Sequence, residues 1–275
     1  MAAFHVISGP DETPAYPIVR KIGISDLKYA LTKGVDDFLA MPSSLIFLGL
    51  IYPIVGFCLA GYALPILFPL MSGFALIGPF AAVGLYEISR RRELGLETHW
   101  SDVFEVRRSP SVPSLLGLGL LLFVIFRLWL AAAEALYGWL YGPAEPESYI
   151  GFLIDVLTTS RGWAMIALGN TIGAVFAVVV LSISVVSFPL LLDRDVGLAV
   201  AVQTSVRAVL ENPYTLAVWG LIVAALLAIG FVVVFVGLAV TVPVLAHATW
   251  HLYRRIVAPV PHASASLDGS IRRGA

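Results

Sequence analysis

Long apolar runs, each entered at a proline, constrain the fold of this chain most strongly. Pro42, Pro110 and Pro213 each precede such a run, and in all three places six residues separate the proline from a Gly-Leu pair. A helix needs about 20 apolar residues to cross a bilayer core. The chain is 59% hydrophobic and 13% charged, whereas soluble domains carry about 45–50% apolar and about 25% charged residues. The sequence therefore predicts an integral membrane protein.

The lengths of the apolar runs predict six transmembrane helices. The first four cover about residues 43–62, 66–89, 110–141 and 163–192, and the run 213–256 is long enough for two more that meet near Gly230. The predicted fold class is therefore an all-α polytopic membrane protein. Residues 23–258 form its membrane domain, and residues 1–22 and 259–275 are expected to be flexible cytoplasmic tails.

The distribution of basic residues predicts the orientation in the membrane. With six spans, almost all arginines and lysines of the membrane domain fall on one side, and Arg161 stands alone on the other. Basic residues accumulate on the cytoplasmic side of membrane proteins. Both termini are therefore expected in the cytoplasm.

Three amphipathic stretches precede the odd-numbered spans and are predicted to lie in the cytoplasmic membrane interface. The first presents Leu27, Leu31, Gly34, Val35 and Phe38 on one helical face. The second presents Trp100, Val103 and Phe104, and the third presents Val202, Val206, Val209 and Leu210 opposite Gln203, Arg207 and Glu211.

The same stretches suggest a threefold internal repeat of two-span units. Aligning Pro42 with Pro213 also superposes Gly49 on Gly220 and several apolar residues on both sides. The predicted units are about 25–92, 99–192 and 195–257, each an interfacial helix, a proline and a hairpin. Such units keep one orientation and can be related by an axis along the membrane normal.

Three polar residues within the predicted spans form a candidate site, called here the polar trio: Arg127, Glu134 and Asn170. Arg127 lies near the middle of the third span, where a lone cation is costly and is expected to face the bundle interior or to snorkel. Glu134 is two helical turns further on the same face, and Asn170 is expected at a similar depth. The trio is either a structural cluster that sets helix register or a substrate or proton site.

His247 and His251 are weak candidates for metal binding, because their i, i+4 spacing can hold a metal. A third ligand is absent nearby in the sequence, so no metal and no cofactor is expected. Cys58 stands alone and predicts neither a disulfide nor a metal cluster. The formal net charge of −1 gives no case for nucleic-acid binding.

Residues 78–91 have the sequence GPFAAVGLYEISRR, and Trp-Ser-Asp-Val follows at 100–103. This pattern resembles a family of bacterial predicted integral membrane proteins, common in proteobacteria, whose function is unknown. The resemblance extends over about residues 20–258. It implies a six-span protein of the bacterial inner membrane and implies no catalytic residues.

No catalytic motif appears in the sequence, so a non-enzymatic role is expected. The first hypothesis is a scaffold or accessory subunit that binds other membrane proteins or membrane lipid. The alternative is a small-solute or ion transporter whose path is lined by the polar trio.

Overall fold

The computed structural model describes residues 16–41, 69, 78–143, 146, 148–232 and 236–259. These residues are almost entirely helical. The described α-helices of seven or more residues are α1 (Ile24–Ala40), α2 (Val83–Glu93), α3 (Val112–Tyr141), α4 (Tyr149–Thr158), α5 (Ser160–Ser184), α6 (Ser187–Asp193), α7 (Leu198–Glu211), α8 (Pro213–Val232) and α9 (Leu238–Ile256). A helical turn at Gly78–Ala81 precedes α2, and a 3₁₀ helix at Trp100–Arg108 follows it.

Three segments among the described residues are long and apolar enough to cross a membrane. They are α3, the consecutive helices α5 and α6, and α8. The predicted first span, 43–62, lies outside the described residues, and the second, 66–89, is described only at 69 and from 78 onward. Helix α9, predicted as the sixth span, is not among these three segments. Its C-terminal half carries the polar residues His247, His251, Arg254 and Arg255. The presence of six transmembrane helices therefore stays a prediction.

Side-chain caps and one glycine shape the connection between α3 and α5. Ser148 Oγ accepts a hydrogen bond from the Gly151 amide at the start of α4, and Thr159 Oγ1 accepts one from the Gly162 amide at the start of α5. A Cβ at Gly162 would collide with the backbone of Val156. The reversal from α4 into α5 therefore requires glycine at this position.

The amphipathic segments each pack against one or two other helices. Helix α1 lies along α9, the 3₁₀ helix packs on α2, and α7 packs on α5 and α6. Helices α2, α6 and α9 also contact one another. Their side chains form the centre of the hydrophobic core, where Ile88, Phe188, Trp250 and Leu252 are fully buried.

The buried faces of these segments coincide only in part with the predicted apolar faces. Helix α1 buries Leu27, Ala30, Gly34 and Asp37, while Val35 is exposed. Helix α7 buries Ala201, Thr204, Ser205 and Ala208, while Leu210 is 74% exposed. The second segment, around Trp100, is a 3₁₀ helix with no buried residue. Small residues face the protein because they permit close helix contact, and the larger apolar side chains are left partly outside.

The residues just before α1 are hydrogen-bonded to the residues at the end of α9 and just after it. Val19 forms an antiparallel bridge with Val257, and the Arg20 amide donates to the Ile256 carbonyl at 2.7 Å. Asn212, buried at the elbow between α7 and α8, accepts from the Ile22 amide at 2.8 Å and donates to the Arg20 carbonyl at 3.1 Å. Residues 18–22, assigned to the tail from the sequence, are thus hydrogen-bonded to the last third of the chain.

Candidate functional site

The structure places all three members of the polar trio on exposed surfaces of their helices. Arg127 and Glu134 lie on the outward face of α3, and Asn170 lies on an exposed face of α5. Seven residues correspond to a rise of about 10 Å along a helix, and no ion pair joins Arg127 to Glu134 among the described residues. The trio is therefore not brought together into a buried cluster. A functional role of the polar trio stays a prediction.

Asn170 has a local partner and an open groove beside it. Its side-chain Nδ2 donates to the Ile166 carbonyl one turn earlier at 2.7 Å. Together with Thr171, Ala174, Val175 and Val178 it lines a surface groove of about 500 Å³. The amide is thus satisfied within its own helix.

The two histidines belong to a buried group of polar residues, called here the Asp37 cluster: Asp37, Ser89, Arg92, His247 and His251. Ser89 Oγ lies 2.7 Å from Asp37 Oδ2 and 2.8 Å from His247 Nδ1. His251 Nε2 lies 2.8 Å from Asp37 Oδ2, and Arg92 Nε donates to Asp37 Oδ1 at 2.8 Å. The cluster joins α1, α2 and α9 at one carboxylate.

Asp37 is ionised at neutral pH in spite of its burial. Burial alone favours the neutral acid and would raise its pKa. Hydrogen bonds from His251, Ser89 and Arg92, together with the nearby positive charge, outweigh burial and lower the pKa of Asp37 from 3.8 to about 2. The carboxylate is therefore a fixed negative charge between α1 and its neighbours.

The hydroxyl of Ser89 has one hydrogen and lies within hydrogen-bond distance of both Asp37 Oδ2 and His247 Nδ1. If Ser89 donates to Asp37, His247 Nδ1 must carry a hydrogen and donate to Ser89 Oγ. His247 Nε2 is buried and makes no well-formed hydrogen bond to a described residue. A chain of hydrogen bonds then runs from His247 through Ser89 to the carboxylate.

The chemistry open to the Asp37 cluster is limited by its burial. Ser89 and His247 have no solvent-exposed surface, so a substrate could not reach the hydroxyl. Among the described residues no group of three His, Cys, Asp or Glu side chains could hold a metal ion. The arrangement fits best a structural connection that fixes α1 against α2 and α9.

A second polar group, called here the Arg254 junction, joins the ends of α2, α6 and α9. Arg254 on α9 pairs with Glu93 on α2 at 2.9 Å and with Asp193 on α6 at 3.4 Å. The Trp250 indole donates to Glu93 at 2.9 Å, and the Tyr253 hydroxyl donates to Asp193 at 2.6 Å. These contacts satisfy the carboxylates where the three helices converge.

Sequence reasoning missed Asp37, Ser89 and Arg92 as partners of the histidines. Asp37 is separated from His251 by 214 positions and from Ser89 by 52. The available signal was an acidic residue in line with Leu27, Ala30 and Gly34 on a helix that otherwise looks amphipathic.

Three long apolar helices, exposed over much of their surface, define the chain as a multi-pass helical membrane protein. Residues 66–193 match the model of an uncharacterised family described as "Predicted integral membrane protein (DUF2189)". The match includes α2, the 3₁₀ helix and α3 to α6, and therefore the motif at 78–91. Searches of curated proteins and of solved structures found no match. The chain is an integral membrane protein that is similar to this family over those residues.

Proposed function

We propose that this protein is a non-enzymatic scaffold or accessory subunit of the bacterial inner membrane that binds other membrane proteins. The observation that carries the proposal is the outward placement of Arg127 and Glu134 on α3. A charged side chain facing lipid within a span costs a few kcal/mol or more (about 3 kcal/mol on insertion scales). A protein partner that covers this face and pairs with the charges removes that cost.

The contacts between segments support the three-unit architecture that underlies this proposal. Helix α1 of the first unit packs on α9 of the third, the 3₁₀ helix of the second packs on α2 of the first, and α7 of the third packs on α5 and α6 of the second. Each amphipathic segment thus packs on the last helix of the preceding unit, and the contacts close into a ring. This pattern is expected of repeats related by an axis along the membrane normal.

Exposed apolar side chains near the predicted membrane entries support an interfacial position of the amphipathic segments. Leu39 and Leu210 occupy equivalent positions before Pro42 and Pro213, and both are exposed. Phe104 is exposed in the 3₁₀ helix, beside the basic Arg107 and Arg108. Apolar groups flanked by basic ones suit the cytoplasmic surface of a bilayer.

Site-specific photo-crosslinking in cells tests the scaffold role. A photoreactive residue at Ala131, between Arg127 and Glu134 on the exposed face of α3, is expected to capture a protein. The control position is Leu221 on α8, which is 70% exposed on a helix without charged residues and is expected to capture lipid. Capture of lipid alone at both positions would contradict the proposal.

The groove beside Asn170 and Thr171 supports transport as a second candidate. In that case Arg127→Gln should abolish solute or ion flux into proteoliposomes while the melting temperature stays unchanged. The control variant is Arg108→Gln, since Arg108 is highly exposed and lies outside the spans. Equal flux in the two variants would exclude the trio from a transport path.

A further inference from the structure

A cavity of about 350 Å³ lies where α1 ends and the chain approaches its first predicted span. It is lined by Ala40, Met41, Arg92, Gly95, Leu96 and Thr98. We propose that this cavity binds the phosphate group of a phospholipid headgroup, with Arg92 as the residue that contacts it. This inference does not rest on the scaffold role, because it concerns a different surface and a different ligand.

Arg92 is positioned for anion binding by the Asp37 cluster. Its Nε donates to Asp37 Oδ1 at 2.8 Å, and Asp37 is itself held by Ser89 and His251. No described residue accepts a hydrogen bond from the two terminal nitrogens of Arg92, and the side chain is 33% exposed. A guanidinium fixed through Nε presents its terminal N–H groups as a rigid fork, which matches the geometry of phosphate oxygens.

Three acidic residues near the cavity already have basic partners, whereas Glu97, between the lining residues Leu96 and Thr98, is exposed and makes no ion pair with a described residue. Glu93 pairs with Arg254, and Asp102 lies 3.2 Å from Arg91. Asp37 is buried and is shared between Arg92 and His251. An incoming phosphate would therefore not face an uncompensated carboxylate in any of these three places.

The rim of the cavity favours a lipid over free phosphate. Leu96 lines the cavity, and Leu39 and Leu94 are next to lining residues in the chain; all three are exposed large apolar side chains. A headgroup phosphate at Arg92 would place glycerol and acyl chains beside these leucines. The cytoplasmic leaflet is also rich in anionic lipid, which raises the local concentration of such ligands.

Lipid binding to the purified full-length protein in detergent tests the proposal. The probes are phosphatidylglycerol, phosphatidylcholine and inorganic phosphate, and the readout is the apparent dissociation constant from thermal-shift titration. Thr98→Glu places a carboxylate in the cavity without touching the Asp37 cluster. It should weaken binding of phosphatidylglycerol by about tenfold or more, because it opposes a charge-assisted contact. Thr32→Glu, an equal change at an exposed position of α1, should bind as the unchanged protein does.

A second variant keeps the test decisive if Thr98→Glu does not fold. Ala40→Glu introduces the same charge from the α1 side of the cavity and should weaken binding similarly. Equal binding by the cavity variants and Thr32→Glu would overturn the proposal, as would the absence of any shift with phosphatidylglycerol. A shift of the same size with inorganic phosphate alone would show a free-anion site and overturn the assignment to lipid. Preference for phosphatidylglycerol over phosphatidylcholine would support an anionic headgroup.

Discussion

At the scale of single residues, the stability of α1 in its position depends on one buried carboxylate. Asp37 accepts hydrogen bonds from Ser89, Arg92 and His251, which come from two other helices. Breaking a buried charge pair by removing one partner leaves the other charge uncompensated. Asp37 therefore connects α1 to the core more strongly than any exposed ion pair can.

Asp37→Asn is predicted to destabilise the protein, while Asp36→Asn is not. The first change leaves Arg92 without its partner and should lower the free energy of unfolding by about 3 kcal/mol. Asp36 pairs with Lys33 on the surface, where such pairs contribute at most about 1 kcal/mol. Unfolding by denaturant in detergent measures both variants. Equal losses would mean that the Asp37 cluster contributes no more than a surface pair.

The pH dependence of stability should follow the lowered pKa of Asp37. The pKa of this carboxyl is about 2 in the folded protein, against its usual 3.8. The unfolded chain therefore binds the proton first, and the stability contributed by Asp37 is present above about pH 4 and is lost as the pH falls towards 2. Melting temperatures of the unchanged protein and Asp37→Asn should differ at pH 7 and converge below pH 4. A difference that stays constant down to pH 2 would contradict the prediction.

At the scale of elements, close contact between α1 and α9 depends on small side chains. A Cβ at Gly34 would lie 2.7 Å from the Ala248 Cβ and 2.7 Å from the Val244 carbonyl oxygen. Ala30 and Ala248 are fully buried on the same surface. Larger residues here would move the helices apart and stretch the hydrogen bonds of the Asp37 cluster.

Gly34→Ala is predicted to lower the free energy of unfolding by about 2 kcal/mol, because the extra methyl group overpacks the interface. The control is Gly138→Ala in α3, where a Cβ meets no atom within 4 Å. There alanine should raise helix stability by up to about 1 kcal/mol, since glycine is the poorer helix former. A neutral or stabilising Gly34→Ala would show that α1 can shift on α9 without cost.

At the scale of the whole molecule, the beginning and end of the described chain meet. The bridge between Val19 and Val257, the bonds of Asn212 and the contact of α1 with α9 all join residues near the two ends. Both ends of the helical domain therefore lie on one side of it. An even number of spans, which the distribution of arginines predicts, would place these ends on the same side of the membrane.

Cysteine labelling in a Cys58→Ser background tests the proposed topology. Cysteines at Arg108 and Thr158, which lie beyond opposite ends of α3, should react from opposite sides of the membrane. Cysteines at Ala3 and Ala275 should react from the same side as that at Arg108, since both termini are expected in the cytoplasm. A terminal cysteine that reacts from the side of Thr158 would exclude the six-span arrangement. Impermeant and permeant maleimides on intact and opened cells provide the measurement.

The local pattern of apolar residues was enough to identify the chain as an integral membrane protein and to locate several of its long helices. Apolar runs such as Val112–Tyr141 and Pro213–Val232 identify membrane-spanning helices because partition into a bilayer depends on the run itself. The resemblance at 78–91 likewise led to an uncharacterised integral membrane family, and the family match at 66–193 confirms that coarse assignment. The prolines at 110 and 213 correctly marked the approach to long apolar helices.

Tertiary structure alone decided which faces are buried and which polar residues meet. The periodicity of α1 and α7 shows an apolar face, but in a membrane protein large apolar side chains can face lipid while small residues face the protein. In this structure Val35 and Leu210 are exposed, while the small residues Gly34 and Ala208 are buried. The Asp37 cluster was equally hidden, because its members come from three helices far apart in the chain. Their association is set by the docking of α1 on α9, which no local pattern encodes.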